Sequence, residues 1–255
     1  YLRVATGIEI TKLVYGAFDA SQDDHKPVFD LTPFLALLEW TSATEQFVRG
    51  GNAEPIAALL REAQNTWYRS KRGAENAPTH LKPAADRVQA LSQALQVLRP
   101  RHTRESARRL DDALREAEPE IGQAAKPFEV LLEQVRAVAQ RFVPHDTADQ
   151  VGTHLEVQRR MLKWYLKHER YVHAGLLMRE LVVSLVMAKN GLDVSNHDER
   201  ERVEKEINAR SRQQWKKPAA EERQPASPQP IDVPKSILEL WAQLTQLRND
   251  LAHAK

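Results

Sequence analysis

Near the end of the chain, Ile237-Leu-Glu-Leu-Trp-Ala-Gln-Leu-Thr-Gln-Leu247 runs directly into Arg248-Asn-Asp-Leu-Ala-His253. Leu240, Trp241, Leu244, Leu247 and Leu251 recur at the three- and four-residue spacing of one helical face, so this stretch predicts a helix that must bury that face against a core. Arg248 and His253 bring a permanent cation and a titratable imidazole to the same helix end. Five residues along an unbroken helix leave two positions about 140° apart around the axis. The two side chains therefore serve one target only if the helix ends between them or if a second chain completes the site.

The rest of the composition agrees with a helical protein. Of 255 residues, 42% are apolar and 28% charged, with nine glycines and sixteen aromatics. That length supports one large helical domain or two smaller ones with proper cores. Cysteine is absent, which removes disulfides, thiol nucleophiles and Cys-ligated zinc, and fits a reducing compartment. The longest apolar run, Leu181–Ala188, is too short to span a bilayer, and no signal peptide is visible. A net charge of +2 gives little bulk attraction for nucleic acid, so any RNA binding must come from a local patch. The chain begins at Tyr1 rather than Met and stops two residues after His253, so a longer protein is expected around it.

At the other end, Ile8–Phe18 is rich in β-branched and aromatic residues and reads as a strand, and Pro27–Leu31 as a short partner. Two such strands are marginal alone and imply further strands outside this pair. Thr32-Pro33 reads as a cap and first turn of a helix over Pro33–Arg49, carrying Phe34, Leu35, Leu37, Leu38, Trp40 and Phe47 and stopping at Gly50-Gly51. Only helical patterns follow: Ala53–Arg72 capped by Asn52, Pro83–Arg99 ended by Pro100, Thr103–Glu118 ended by Pro119, and Pro127–Val143 with Val130 in its apolar stripe. Thr153–Lys167, Glu169–Asn190 and the charged His197–Trp215 come next. Lys216–Pro234 holds five prolines and reads as a mobile linker.

The Arg-x4-His spacing with Asn249 after the arginine resembles the signature of the HEPN ribonucleases. Leu13–Phe18, Pro27–Phe34 and Leu38-Glu-Trp40 are similar to the end of the CARF domain in CRISPR-associated CARF–HEPN proteins. The resemblance implies a mainly α chain: a β-hairpin and helix over residues 1–51 closing a Rossmann-like CARF sensor, then a multi-helix HEPN effector domain over 52–255 with its linker at 216–234. It implies a cytoplasmic, homodimeric endoribonuclease of type III CRISPR immunity that cleaves single-stranded RNA without a metal or other cofactor. A cyclic oligoadenylate bound to the CARF domain would switch it on. The family's Thr-His pair and following Arg, which help hold that activator, have no counterpart here, so no residue is assigned to the ligand.

The residue types suit this chemistry. RNA supplies its own nucleophile, the 2′-hydroxyl. Histidine near neutral pH can move a proton at that oxygen or at the leaving 5′-oxygen, and arginine forks onto phosphate oxygens. In the family two Arg and two His line one dimeric cleft, which makes Arg248 and His253 the catalytic pair and Asn249 their polar support. Tyr171–Leu181 resembles the family's helix behind the motif, and a carboxylate there commonly contacts the motif arginine, which points to Glu180.

Each reading has a plainer one beside it. Arg and His at a helix C-terminus favour the macrodipole with no chemistry at all, and Glu180 can pair with another neighbour or with solvent. His145, His154, His168 and His173 lack metal-site spacing. Trp67–Arg72 mixes aromatics and cations but reads as a solvated helix end. As whole-protein alternatives, the chain could be a non-catalytic helical dimerisation module, or a HEPN toxin ribonuclease, against which the hairpin argues.

Overall fold

The structure, a computed structural model, describes residues 10–16, 27–71, 76–144, 150–213 and 230–253. Among these it is mainly α, with ten helices and one two-stranded sheet. The chain divides into two compact units: residues 1–93 with 106–140, and 94–105 with 141–255. The helices that follow the first one up to residue 93, and residues 106–140, group with it in the first unit.

In the first unit, β1 (Val14–Gly16) pairs antiparallel with β2 (Val28–Asp30), with Tyr15 opposite Phe29. The strands are shorter than the patterns over Ile8–Phe18 and Pro27–Leu31, whose remaining residues lie partly outside the described ones. Val14, Tyr15, Val28 and Phe29 are all exposed, so among the described residues neither face of the hairpin is covered. α1 spans Thr32–Gly50. Thr32 is not its cap: the helix is preceded by Leu31 without a side-chain cap bond, and the Thr32 hydroxyl accepts the Leu13 amide at 3.1 Å, closing the hairpin instead. α1 buries Trp40, Ala43, Thr44 and Phe47, while Phe34 and Leu38 stay exposed. It stops at Gly51, whose φ of 66° is left-handed, as a glycine permits.

α2 spans Glu54–Ser70; the residue before it is Ala53, without a side-chain cap bond, and Asn52, one position earlier than the cap, accepts the Glu54 amide on its side-chain oxygen at 3.2 Å. α3 (Leu81–Gln96) ends earlier than the sequence pattern, because Leu98 turns to φ 55°; Pro100 then opens α4 (Pro100–Ala124) rather than merely ending α3. Pro119 does not end α4 either. The turn after it is held by buried Ile121 and by Glu120, whose carboxylate accepts the Thr79 amide at 2.9 Å and the His80 amide at 2.7 Å. These tertiary contacts outweigh the missing proline amide.

The Pro127–Val143 pattern becomes α5 (Lys126–Glu129) and α6 (Leu132–Arg141). At the break between them Val130 is 70% exposed and leaves the core, where Phe128, Leu131 and Leu132 are buried. Phe128 stacks on Trp40 with ring centres 5.1 Å apart.

The second unit contains α7 (Gln150–Lys167), α8 (Tyr171–Lys189), α9 (His197–Gln213) and α10 (Lys235–His253). α8 packs on the other three. Its Val182, Val183, Val186 and Met187 join Val203 and Ile207 of α9 and Trp241 and Leu244 of α10 in one core. Among the described residues, α8 alone is long and apolar enough to cross a membrane by length and composition. The run Leu181–Ala188 underrates it because the apolar character extends back to Tyr171.

The segment before α10 is not all loose linker. Residues 216–229 lie outside the described ones, but Ile231 and Val233 are buried in the same core. The Asp232 amide donates to the Asn190 side chain at 2.8 Å, and Asn190 returns a bond to the Asp232 carbonyl at 3.0 Å. Two β-branched side chains and a matched amide pair strap 231–233 down despite the flanking prolines.

Candidate active site on the terminal helix

α10 is placed by Trp241. Its indole is 1% exposed, donates to the Asn208 carboxamide at 2.9 Å, and lies under the Arg179 guanidinium, 4.4 Å from the ring centre. Arg179 is held in turn by Glu204 of α9 at 3.1 Å. Leu244, one turn on, is buried, but Leu247 is 45% exposed. The predicted apolar stripe therefore leaves the core after Leu244, and the helix carries its last turns outward.

Arg248 sits on that outward part, exposed, and its guanidinium donates to the Asn249 carboxamide at 3.1 Å. The backbone stays helical through His253; the imidazole itself lies outside the described side chains. With no helix end between them, the Arg248 and His253 positions keep their separation of about 140°. One of the two arrangements by which both could serve one target, a helix end between them, is not observed.

Glu180 is placed elsewhere. Its carboxylate accepts the Arg200 Nε at 3.1 Å and also Nη2 of that guanidinium, while Arg200 bonds the Glu180 carbonyl at 3.0 Å and the Ser184 hydroxyl at 3.2 Å. Arg200 belongs to α9, so Glu180 braces α8 against α9. The charged residue of α8 that lies over Trp241 of α10 is its neighbour Arg179, which the sequence reading missed. No local signal marked it, because a cation beside a carboxylate on an apolar helix does not reveal which of the two faces the tryptophan.

Two of the other histidines pack against aromatic rings. His168 lies 4.9 Å from the Trp164 ring centre and His173 stacks at 5.4 Å on Tyr165. Burial first, and the nearby Arg170 second, hold His173 below the ordinary imidazole range; burial and then Arg200 do the same for His154. His145 lies outside the described residues. In the Trp67–Arg72 run, Trp67 is buried and Arg69 pairs with Glu62, as expected of a helix end, while Arg72 lies outside the described residues.

Residues 36–142 match the family model described as CRISPR-associated protein MJ1674, second domain. No curated protein matches the chain. The matched stretch runs from within α1 to just past α6 and ends beside the boundary of the first unit at Gln140. It includes neither Glu180 nor α10. The match supports a CRISPR-associated protein.

Proposed function

We propose that this chain is the effector part of a cytoplasmic, homodimeric, metal-independent endoribonuclease of the CARF–HEPN kind, serving type III CRISPR immunity. The CRISPR-associated family match supports the setting. The observation that carries the mechanism is the unbroken α10, which keeps the Arg248 and His253 positions on different sides of one helix and so calls for a second copy to assemble them. A cyclic oligoadenylate bound to the sensor domain activates the enzyme.

In this reading His253 moves the proton at the 2′-oxygen or at the leaving 5′-oxygen, and Arg248 stabilises the extra charge on the phosphate. Asn249 restrains the Arg248 fork, so less of its freedom is lost when phosphate binds. Attack by the 2′-oxygen on phosphorus expels the 5′-oxygen and leaves a 2′,3′-cyclic phosphate. Glu180 reaches the site only through α8, by fixing that helix on Arg200.

The test is RNA cleavage by the full-length protein with its activator. Arg248→Ala and His253→Ala should each abolish cleavage while retaining the dimer, and EDTA should leave the parent active. EDTA-sensitive cleavage, or full activity in His253→Ala, overturns the mechanism.

A further inference from the structure

Two corners of the second unit are built alike. α3 closes with Leu98 at φ 55°, and the Arg99 amide bonds back to the Ala94 carbonyl at 3.2 Å. α7 closes with Glu169 at φ 57°, and the Arg170 amide bonds back to the Tyr165 carbonyl at 2.9 Å. Each helix thus ends on a left-handed residue followed by an arginine that leads into the next helix. The corners are neighbours, since the Tyr165 hydroxyl donates to the Leu95 carbonyl at 2.5 Å while its ring stacks on His173 of α8. The last turn of α3, the last turn of α7 and the first turn of α8 therefore meet at buried Tyr165.

The outer surface of this junction is cationic. Arg99 and Arg101 are exposed on the first corner. Lys163 and Lys167 are exposed four residues apart on one side of α7. None of these four makes an ion pair among the described residues. Arg170 adds its charge beside Tyr165, and Glu105 and Glu169 are the acids nearby in sequence. Exposed apolar side chains belong to the same two corners: Val97, two residues before Arg99, is 60% exposed and Tyr171, next to Arg170, is 59% exposed.

We propose that this junction binds single-stranded RNA, with Arg99, Arg101 and Lys167 on successive phosphates and Tyr171 stacking on a base. The choice of RNA as partner rests on the ribonuclease reading; the surface itself rests on charge. A symmetric contact between two copies would set these cations against their own images, a like-charge juxtaposition that disfavours that occupant. A polyanion with planar bases satisfies both the cations and the bare ring.

The experiment uses the full chain carrying His253→Ala, so that the RNA stays intact, and follows anisotropy of a short labelled single-stranded RNA across a salt series. Charge reversal at Arg99, Arg101 and Lys167 together should weaken binding at least tenfold and lower the slope of log K against log salt by about 2, from about 0.7 for each phosphate lost. Tyr171→Ala should weaken binding about tenfold with the slope unchanged, and Tyr171→Phe should bind like the parent. Lys167→Glu alone, on an exposed position, keeps the test open if the triple variant folds poorly, and should show about a third of the slope change. Unchanged affinity and slope in these variants overturn the proposal even if the enzyme cleaves RNA. A change in sedimentation in place of RNA affinity overturns it in favour of a contact between copies. Binding that depends on these residues in a parent that never cleaves would sustain it and sink the ribonuclease reading.

Discussion

Replacing Trp241 with alanine should detach α10 from its unit. The indole is almost wholly buried among Val182, Val186, Ile207 and their neighbours, and truncating such a side chain costs about 3–5 kcal/mol. The substitution also strips the Asn208 carboxamide of its donor, about 1 kcal/mol, and takes the ring from beneath Arg179, about 1 kcal/mol more. These groups touch one another and their contributions overlap, so a total of about 4–6 kcal/mol is expected. Against a domain stability of about 5–15 kcal/mol, that is enough to open the helix locally before the rest unfolds. Trp241→Phe keeps a ring for Arg179 and most of the packing, and should cost about 1–2 kcal/mol. Hydrogen exchange by mass spectrometry reads the protection of residues 235–250 separately from α7, and urea unfolding followed by far-UV circular dichroism gives the loss of stability. A loss below about 1 kcal/mol, with α10 protection unchanged in Trp241→Ala, would refute the reasoning that Trp241 places the candidate site.

Other outcomes follow from the same contacts. Asn190→Ala removes both bonds to the Asp232 backbone and should cost about 1–3 kcal/mol, with limited proteolysis then cutting near 230–234. His154 and His173 are both held below the unfolded value of 6.5, so the unfolded state binds more protons as pH drops; their contribution is complete above pH 6.5 and is lost as pH falls through the folded values. The melting temperature of the second unit should therefore fall on acidification from neutral pH, and His154→Gln with His173→Gln should flatten that fall. Glu120 is held below the ordinary carboxylate value because, although burial pushes it up, the bonds from Thr79 and His80 prevail. Glu120→Ala should expose the start of α3 to exchange without affecting α10. Glu180→Ala should loosen α8 from α9 and lower activity through position alone, so a full rate at saturating RNA with unchanged exchange in α9 would remove Glu180 from the mechanism.

Most elements were legible because their signals are local. The periodicity of Leu240, Trp241 and Leu244 and the stop at Gly50-Gly51 each depend on a few consecutive residues, and the structure places them accordingly. Prolines misled where tertiary contacts prevail over the local preference, as at Pro119, held through Glu120, and in the strap before α10, where Ile231 and Val233 find a core. Val130 fitted a helical stripe that the chain interrupts at that residue.

The candidate site divides in the same way. The sequence by itself supplied the candidates, Arg248 and His253 with Asn249 beside the arginine, and their five-residue spacing sets an angle of about 140° wherever the helix is continuous. Only the tertiary structure decided that α10 continues unbroken between them, that its apolar stripe leaves the core after Leu244, and that Arg179 rather than Glu180 meets the helix. Those outcomes depend on which side chains from α8 and α9 reach Trp241, and such contacts join residues more than thirty positions apart, beyond the reach of any local pattern.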